Sequence, residues 1–287
     1  LVQKQVRKYH NIWPIYPESE TRPNYWRGWP NDKKFTFVLT HDVEHQRGYE
    51  RVLHLMKIEK ELGFVSSFNF VPERDYAVES ELLSKLKTNG FEVGVHGLHH
   101  DGKLFQNKKL FFERAKKINQ YLLEWDAVGF RAPSMHHDLE LIGNLNLEYD
   151  LSTFDTDPFE PQSDGVKTIY PFWIDGGKQN GGYVELPYTM VQDFTLFVLM
   201  KEKTIDIWKT KLDWIAEKGG MALLNVHPDY LNFENSYSLE EFPVKYYIEL
   251  LEYVKSKYKG KYWQALPKEV ARFARLSYCG KSVSLAN

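Results

Sequence analysis

Two imidazoles four residues apart, His96 and His100, lie in the stretch Phe91-Glu-Val-Gly-Val-His-Gly-Leu-His-His-Asp101. Neutral imidazole nitrogens bind zinc-type metals, and two of them converging on one point make half of such a site. A carboxylate and an open position for water would have to complete it. Histidines on a surface loop show the same spacing, so the pair gains meaning only from its company. That company is His41-Asp42-Val43-Glu44-His45, Arg131-Ala-Pro133, the acidic stretch Asp150 to Asp157, and Asn225-Val-His227.

Each of these groups follows an apolar run. Phe91, Val93 and Val95 alternate up to His96, which reads as a strand ending at that ring, and a helical turn after it would bring His100 onto the same face. Phe35 to Thr40 is a β-branched and aromatic run ending at His41. Strand and helix patterns then alternate: helix 49–62 closed by Gly63, strand 65–71, helix 79–88, helix 110–125, strand 127–130, short helix 139–145 and strand 148–153. Strand 183–187, helix 204–218, strand 221–226, helix 244–257 and helix 267–276 complete the series. The glycine-rich Asp175–Gly182 segment reads as a hairpin turn or surface loop. It lacks the Lys-Ser/Thr ending of a phosphate loop, and no phosphate role is assigned to it. Alternation without a dinucleotide fingerprint favours an α/β barrel over a doubly wound sheet, and the polar groups fall at the C-terminal ends of the strands, where barrel enzymes build their sites. Residues 1–34, with Pro14, Pro17, Pro23 and Pro30 among aromatics, read as an extended arm packed on a barrel of residues 35–287.

Composition narrows the partners. Lys and Arg total 37 against 39 Asp and Glu, a net charge of -2, which argues against nucleic acid or an anionic membrane as the main partner. Cys279 is the only cysteine, so no intrachain disulfide forms, and it has no histidine near it in sequence. No Gly-x-Ser-x-Gly elbow is present either. Neither a signal-peptide pattern nor an apolar run of spanning length is visible, which makes a cytoplasmic location the expectation. The start at Leu1 rather than Met leaves room for an upstream segment.

In this order, Thr40-His41-Asp42, His96-x-x-x-His100, Arg131-x-Pro133, an aspartate at a strand end within 150–157 and Leu224-Asn-Val-His227 resemble the motifs of the polysaccharide deacetylase family (NodB homology, carbohydrate esterase family 4) over about Phe35 to Tyr230. The resemblance implies a distorted (β/α)7-type barrel that uses a divalent metal, zinc before others, to remove N- or O-acetyl groups from carbohydrate. It implies a general base in Asp42, metal ligands in His96 and His100, and in Arg131 a residue orienting the base. His227 would be the general acid, tuned by an aspartate, for which Asp155 is chosen over Asp150 and Asp157. His41, His45, His99, His136 and His137 would mark the rim or support the site, with His99 and Asp101 orienting ligands.

One departure stands out. The family commonly carries a second aspartate directly after the first, as a metal ligand, where this chain has Val43 and then Glu44. Either Glu44 completes the ligand set, or Asp42 itself binds metal and the base is unassigned, or the site has lost its metal. Simpler roles compete for single residues: Asp42 as a cap of the following helix, Glu44 on the solvated first turn of that helix, Arg131 in a structural ion pair, His227 in a strand-end hydrogen bond. The functional expectation is a metal-dependent carbohydrate deacetylase. The alternatives are a catalytically silent saccharide-binding barrel and an allantoinase-like hydrolase of cyclic amides. The sequence leaves oligomeric state open.

Overall fold

Phe35–Val43 forms β1, and every one of its residues is buried. A strand that is apolar along its whole length belongs in a parallel sheet covered by helices. The computed structural model describes residues 8–176, 181–234 and 239–278, and Cys279 lies outside them. From β1 the chain runs through α1 (Gln46–Leu62), β2 (Ser67–Phe70), α2 (Ser80–Thr88), β3 (Glu92–His96), α3 (Lys108–Glu124), β4 (Gly129–Arg131), α4 (Leu139–Ile142) and β5 (Tyr149–Asp150). A hairpin of β6 (Phe172–Asp175) and β7 (Gly182–Glu185) follows. Then come α5 (Asp206–Lys218), β8 (Met221–Asn225), β9 (Leu231–Asn232), β10 (Phe242–Pro243), α6 (Val244–Lys257), β11 (Tyr262–Gln264) and α7 (Pro267–Tyr278).

The parallel order is β8-β1-β2-β3-β4-β5-β7, with β6 antiparallel to β7 and β11 beside the start of β1. Among the described residues no ladder joins β7 to β8. The gap is bridged by irregular chain, in which Thr189 N and Met190 N both donate to Leu223 O, at 3.1 and 3.0 Å. This is the α/β barrel expected from the alternation, with the distortion that the resemblance implies. Not foreseen are the strands β6, β9, β10 and β11, too short to show a period, and a π-helical turn over Phe194–Leu199.

The helices turn apolar stripes inward, as Val52, Leu55 and Met56 do on α1, with Glu59 buried beside them; α1 stops at Gly63 in the left-handed conformation (φ 82). Outside the barrel, residues 8–34 bury Trp13, Trp26 and Trp29 against it. Trp29 donates its indole N–H to Gly219 O at 2.9 Å, and Trp13 meets Phe159 edge to face at 5.4 Å. Among the described residues no helix is long and apolar enough to cross a membrane.

Candidate active site

β1 delivers two acids to one place. Side chains alternate along a strand, so Asp42 faces the barrel interior, Val43 turns into the apolar core, and Glu44 returns to the side of Asp42. Val43 is therefore on the wrong face to approach the cavity, and Glu44 is on the right one. Glu44 is held by its backbone: its N–H donates to Asp229 Oδ2 at 2.9 Å, and Arg74 donates to its carbonyl at 2.9 Å.

β3 ends at His96, and no helical turn follows; the chain bends sharply instead. Gly97 makes the bend with φ +65, and a Cβ there would lie 2.6 Å from Pro133. The result is still convergence. One ligand atom from each of Glu44, His96 and His100 lies within 4.8 Å of the others. His96 Nδ1 is 3.1 Å from Arg131 O, a pure acceptor, so the ring carries its proton on Nδ1 and presents a lone pair on Nε2. Burial pushes His96 down to about 4, against the pull of Asp42, so the ring is neutral. Its buried Nε2 has no hydrogen-bond partner. The buried Nε2 of His100 sits 2.9 Å from Glu44 Oε1 without the alignment of a hydrogen bond. Two imidazoles and a carboxylate with under-satisfied buried nitrogens fit a divalent metal of the zinc type.

Asp42 is not part of that set, because its oxygens are engaged elsewhere. Oδ1 accepts from Arg131 Nη1 and from Asn69 Nδ2, each at 3.0 Å, and Oδ2 accepts from Asn225 Nδ2 at 2.9 Å. Burial alone would raise the Asp42 carboxyl; Arg131, with His96 and His227 behind it, holds it well below the usual carboxylate range. Arg131, fully buried, also donates to Thr40 Oγ1 at 3.0 Å, Asn225 Oδ1 at 2.6 Å and Leu151 O at 3.0 Å. Its fork ties β1, β8 and the chain just after β5 to Asp42.

His227 follows β8 and points its Nε2 at both acids, 4.0 Å from Asp42 Oδ2 and 3.9 Å from Glu44 Oε1. The carboxylate behind it is Asp193, not Asp155. Asp193 accepts from His227 Nδ1 at 2.7 Å and from His227 N at 2.8 Å. Burial opposes the charge on His227, but Asp193 beside it wins and pushes the ring up to about 10. Asp155 instead forms a buried pair with Lys211 Nζ at 2.5 Å. The sequence reasoning missed Asp193 because it lies in irregular chain, just ahead of the π-helical turn. A signal against Asp155 was present: Lys211 sits on the apolar stripe of Trp208, Leu212 and Ile215, where a buried lysine demands a buried carboxylate.

The other expected supports are elsewhere. His41 is buried on Glu59, 2.8 Å away, and Asp101 pairs with Arg114 at 2.7 Å. His99 bonds Glu73 O at 3.1 Å, and none of His41, His45, His99, His136 and His137 lines the cavity. That cavity, about 280 Å³, is lined by Asp42, Glu44, His96, His100 and His227 on one side and by Phe159, Glu160, Gln192 and Phe194 on another.

No family model matches the sequence, and no curated protein matches it. In structure, the chain is similar to a protein described as a polysaccharide deacetylase from Mycobacterium smegmatis, with a TM-score of 0.63 at 18% identity over 91% of this chain and 96% of that one. It is similar to PuuE allantoinase with a TM-score of 0.64 at 14% identity, over 88% and 93%. The peptidoglycan deacetylase PdaC from Bacillus subtilis gives 0.51 at 15% identity, over 88% and 96%. The fold is thus the one these polysaccharide deacetylases share, carried here by a sequence far diverged from theirs.

Proposed function

We propose that this chain is a divalent-metal-dependent hydrolase, with zinc as the first candidate, that removes an N- or O-linked acetyl group from a carbohydrate, a cell-surface polysaccharide or its precursor. The observation that carries this reading is the meeting of Glu44, His96 and His100 with Asp42 and His227 in one cavity. Glu44, His96 and His100 would hold the ion, which when bound supplies Lewis acidity at the scissile carbonyl and makes water a stronger acid.

The chain's own groups do the rest. Asp42 stays ionised at neutral pH, and Oδ2 can take the proton of the attacking water, while Oδ1 is pinned by Arg131 and Asn69. His227 carries the second proton on Nε2 and gives it to the departing nitrogen or oxygen; Asp193 fixes the ring and its charge through Nδ1. Water adds across the bond, acetate leaves, and the sugar regains an amine or a hydroxyl.

The name PuuE allantoinase supports a second reading, opening of a cyclic amide, through the fold alone. The test is acetate release by zinc-loaded protein from N-acetylated chitooligosaccharides and O-acetylated xylooligosaccharides, with allantoin in parallel. Acetate release that ends on chelation is expected. Turnover of allantoin alone overturns the acetyl reading, and turnover of none of them overturns the hydrolase.

A further inference from the structure

The cavity wall formed by Phe159, Glu160 and Gln192 plays no part in the hydrolytic steps above, yet it is built with care. Tyr188 O–H lies 2.7 Å from Glu160 Oε1 and 3.0 Å from Asp157 Oδ2. A phenol has one proton and can donate to only one of them, so the other carboxyl must donate to the phenol oxygen and must itself be protonated. Asp157 Oδ1 accepts from Phe159 N at 2.9 Å, a bond that suits an ionised carboxylate. Burial pushes both carboxyls up, Asp157 to about 7 and Glu160 to about 8, and since only Asp157 also accepts a backbone N–H through its other oxygen, the shared proton is assigned to Glu160.

Glu160 is held on one edge only. Gln192 Nε2 donates to Glu160 Oε1 at 2.5 Å, the same oxygen that meets Tyr188. Both residues line the cavity, so Glu160 Oε2 and Gln192 Oε1 are the polar atoms that this wall has left to offer. Both are oxygens without a proton of their own, since the proton of the carboxyl is engaged with Tyr188, so this wall accepts; with no ionised group of its own facing the cavity, it suits an uncharged donor, which on a sugar ring is a hydroxyl.

We propose that Glu160 and Gln192 are the hydroxyl-binding subsite of this cavity, gripping the sugar ring next to the acyl group presented to Glu44, His96 and His100. The inference rests on the carbohydrate reading above and adds to it the residues that select a sugar. The subsite binds and does not transfer protons. A substrate without hydroxyls gains nothing from it.

The test compares wild type, Glu160→Ala and Glu160→Gln on N-acetylated chitotetraose and on 4-nitrophenyl acetate, with thermal melts as a check of folding. The same three proteins are titrated with chitotetraose by calorimetry, without added metal. Glu160→Ala should raise KM for the tetraose on the order of tenfold, with kcat within about twofold and the ester unaffected. Glu160→Gln keeps a neutral donor toward Tyr188 and should stay within about threefold of wild type. Equal losses on sugar and ester mean a structural wall and overturn the subsite, as does an unchanged KM in Glu160→Ala. If wild type hydrolyses neither compound, the hydrolase reading has failed on its own, and the titration decides the subsite. Binding weakened by Glu160→Ala supports it; binding absent from wild type, or equal in Glu160→Ala, overturns it.

Discussion

At the scale of single residues, the division of labour between Asp42 and Glu44 can be separated by experiment. Asp42 has three donors and no imidazole of the ligand pair on its oxygens, whereas Glu44 lies 2.9 Å from His100. Asp42→Asn should cut acetate release by about 100-fold or more, the usual size of a lost general base, with zinc still bound in a calorimetric titration. Glu44→Ala should do the reverse in the titration and weaken zinc strongly, since it removes the only carboxylate of the donor set. Zinc bound as tightly to Glu44→Ala as to wild type would sink the ligand assignment. Asp193→Asn leaves the ligand set intact and should lower turnover by about 100-fold through His227 alone. Much of this was readable beforehand, because strand alternation fixes which side of β1 each acid takes. Asp193 was not, since it sits in a short irregular stretch that carries no period, 34 positions from its partner.

At the scale of elements, the start of α1 is the part that aims Glu44. Asp229, from the turn after β8, accepts from Glu44 N, His45 N and Gly48 N at 2.9, 3.0 and 3.1 Å, capping a helix to which it does not belong. The approach is so close that a Cβ on Gly48 would lie 2.1 Å from Asp229 Oδ2. Gly48→Ala should therefore displace the carboxylate, cost about 1–3 kcal/mol of stability and weaken zinc roughly tenfold, read by denaturant melts and by metal titration. A variant with wild-type zinc affinity would show that the cap does not position Glu44. The helix and strand order itself was legible from periodicity, whereas β4 and β5 form shorter strands than their apolar runs imply. β4 starts late but runs through Arg131, which pairs with His96, and β5 stops at Asp150, after which Leu151 turns its carbonyl to Arg131 Nε, so tertiary demand overrides local pattern.

At the scale of the whole molecule, buried acids make stability depend on pH. Glu92, at the start of β3, accepts from Tyr149 O–H at 2.9 Å and Lys268 N at 3.1 Å, but burial outweighs both bonds and pushes it up to about 7. Its folded pKa is above its unfolded value, so the stability tied to its neutral form is full below about pH 4 and is lost as pH rises through about 7. The loss is of order 3 kcal/mol. Glu92→Gln keeps the neutral shape and should gain stability over wild type at pH 8 by about that amount, with little difference at pH 4; equal urea midpoints at pH 8 would refute it.

The arm of residues 8–34 also acts over this full span. Trp13 rests on Phe159 of the cavity wall, Pro14 O accepts from Lys211 at 2.6 Å, and Trp29 bonds Gly219, which leads into the base of β8. A segment fastened at both mouths of the barrel works as a brace running down its outer wall. Trp26 and Trp29 pack on each other at 4.5 Å at the far end and Trp13 meets Phe159 at the near one, so the same short segment shores up two parts of the wall that the sheet itself does not tie together.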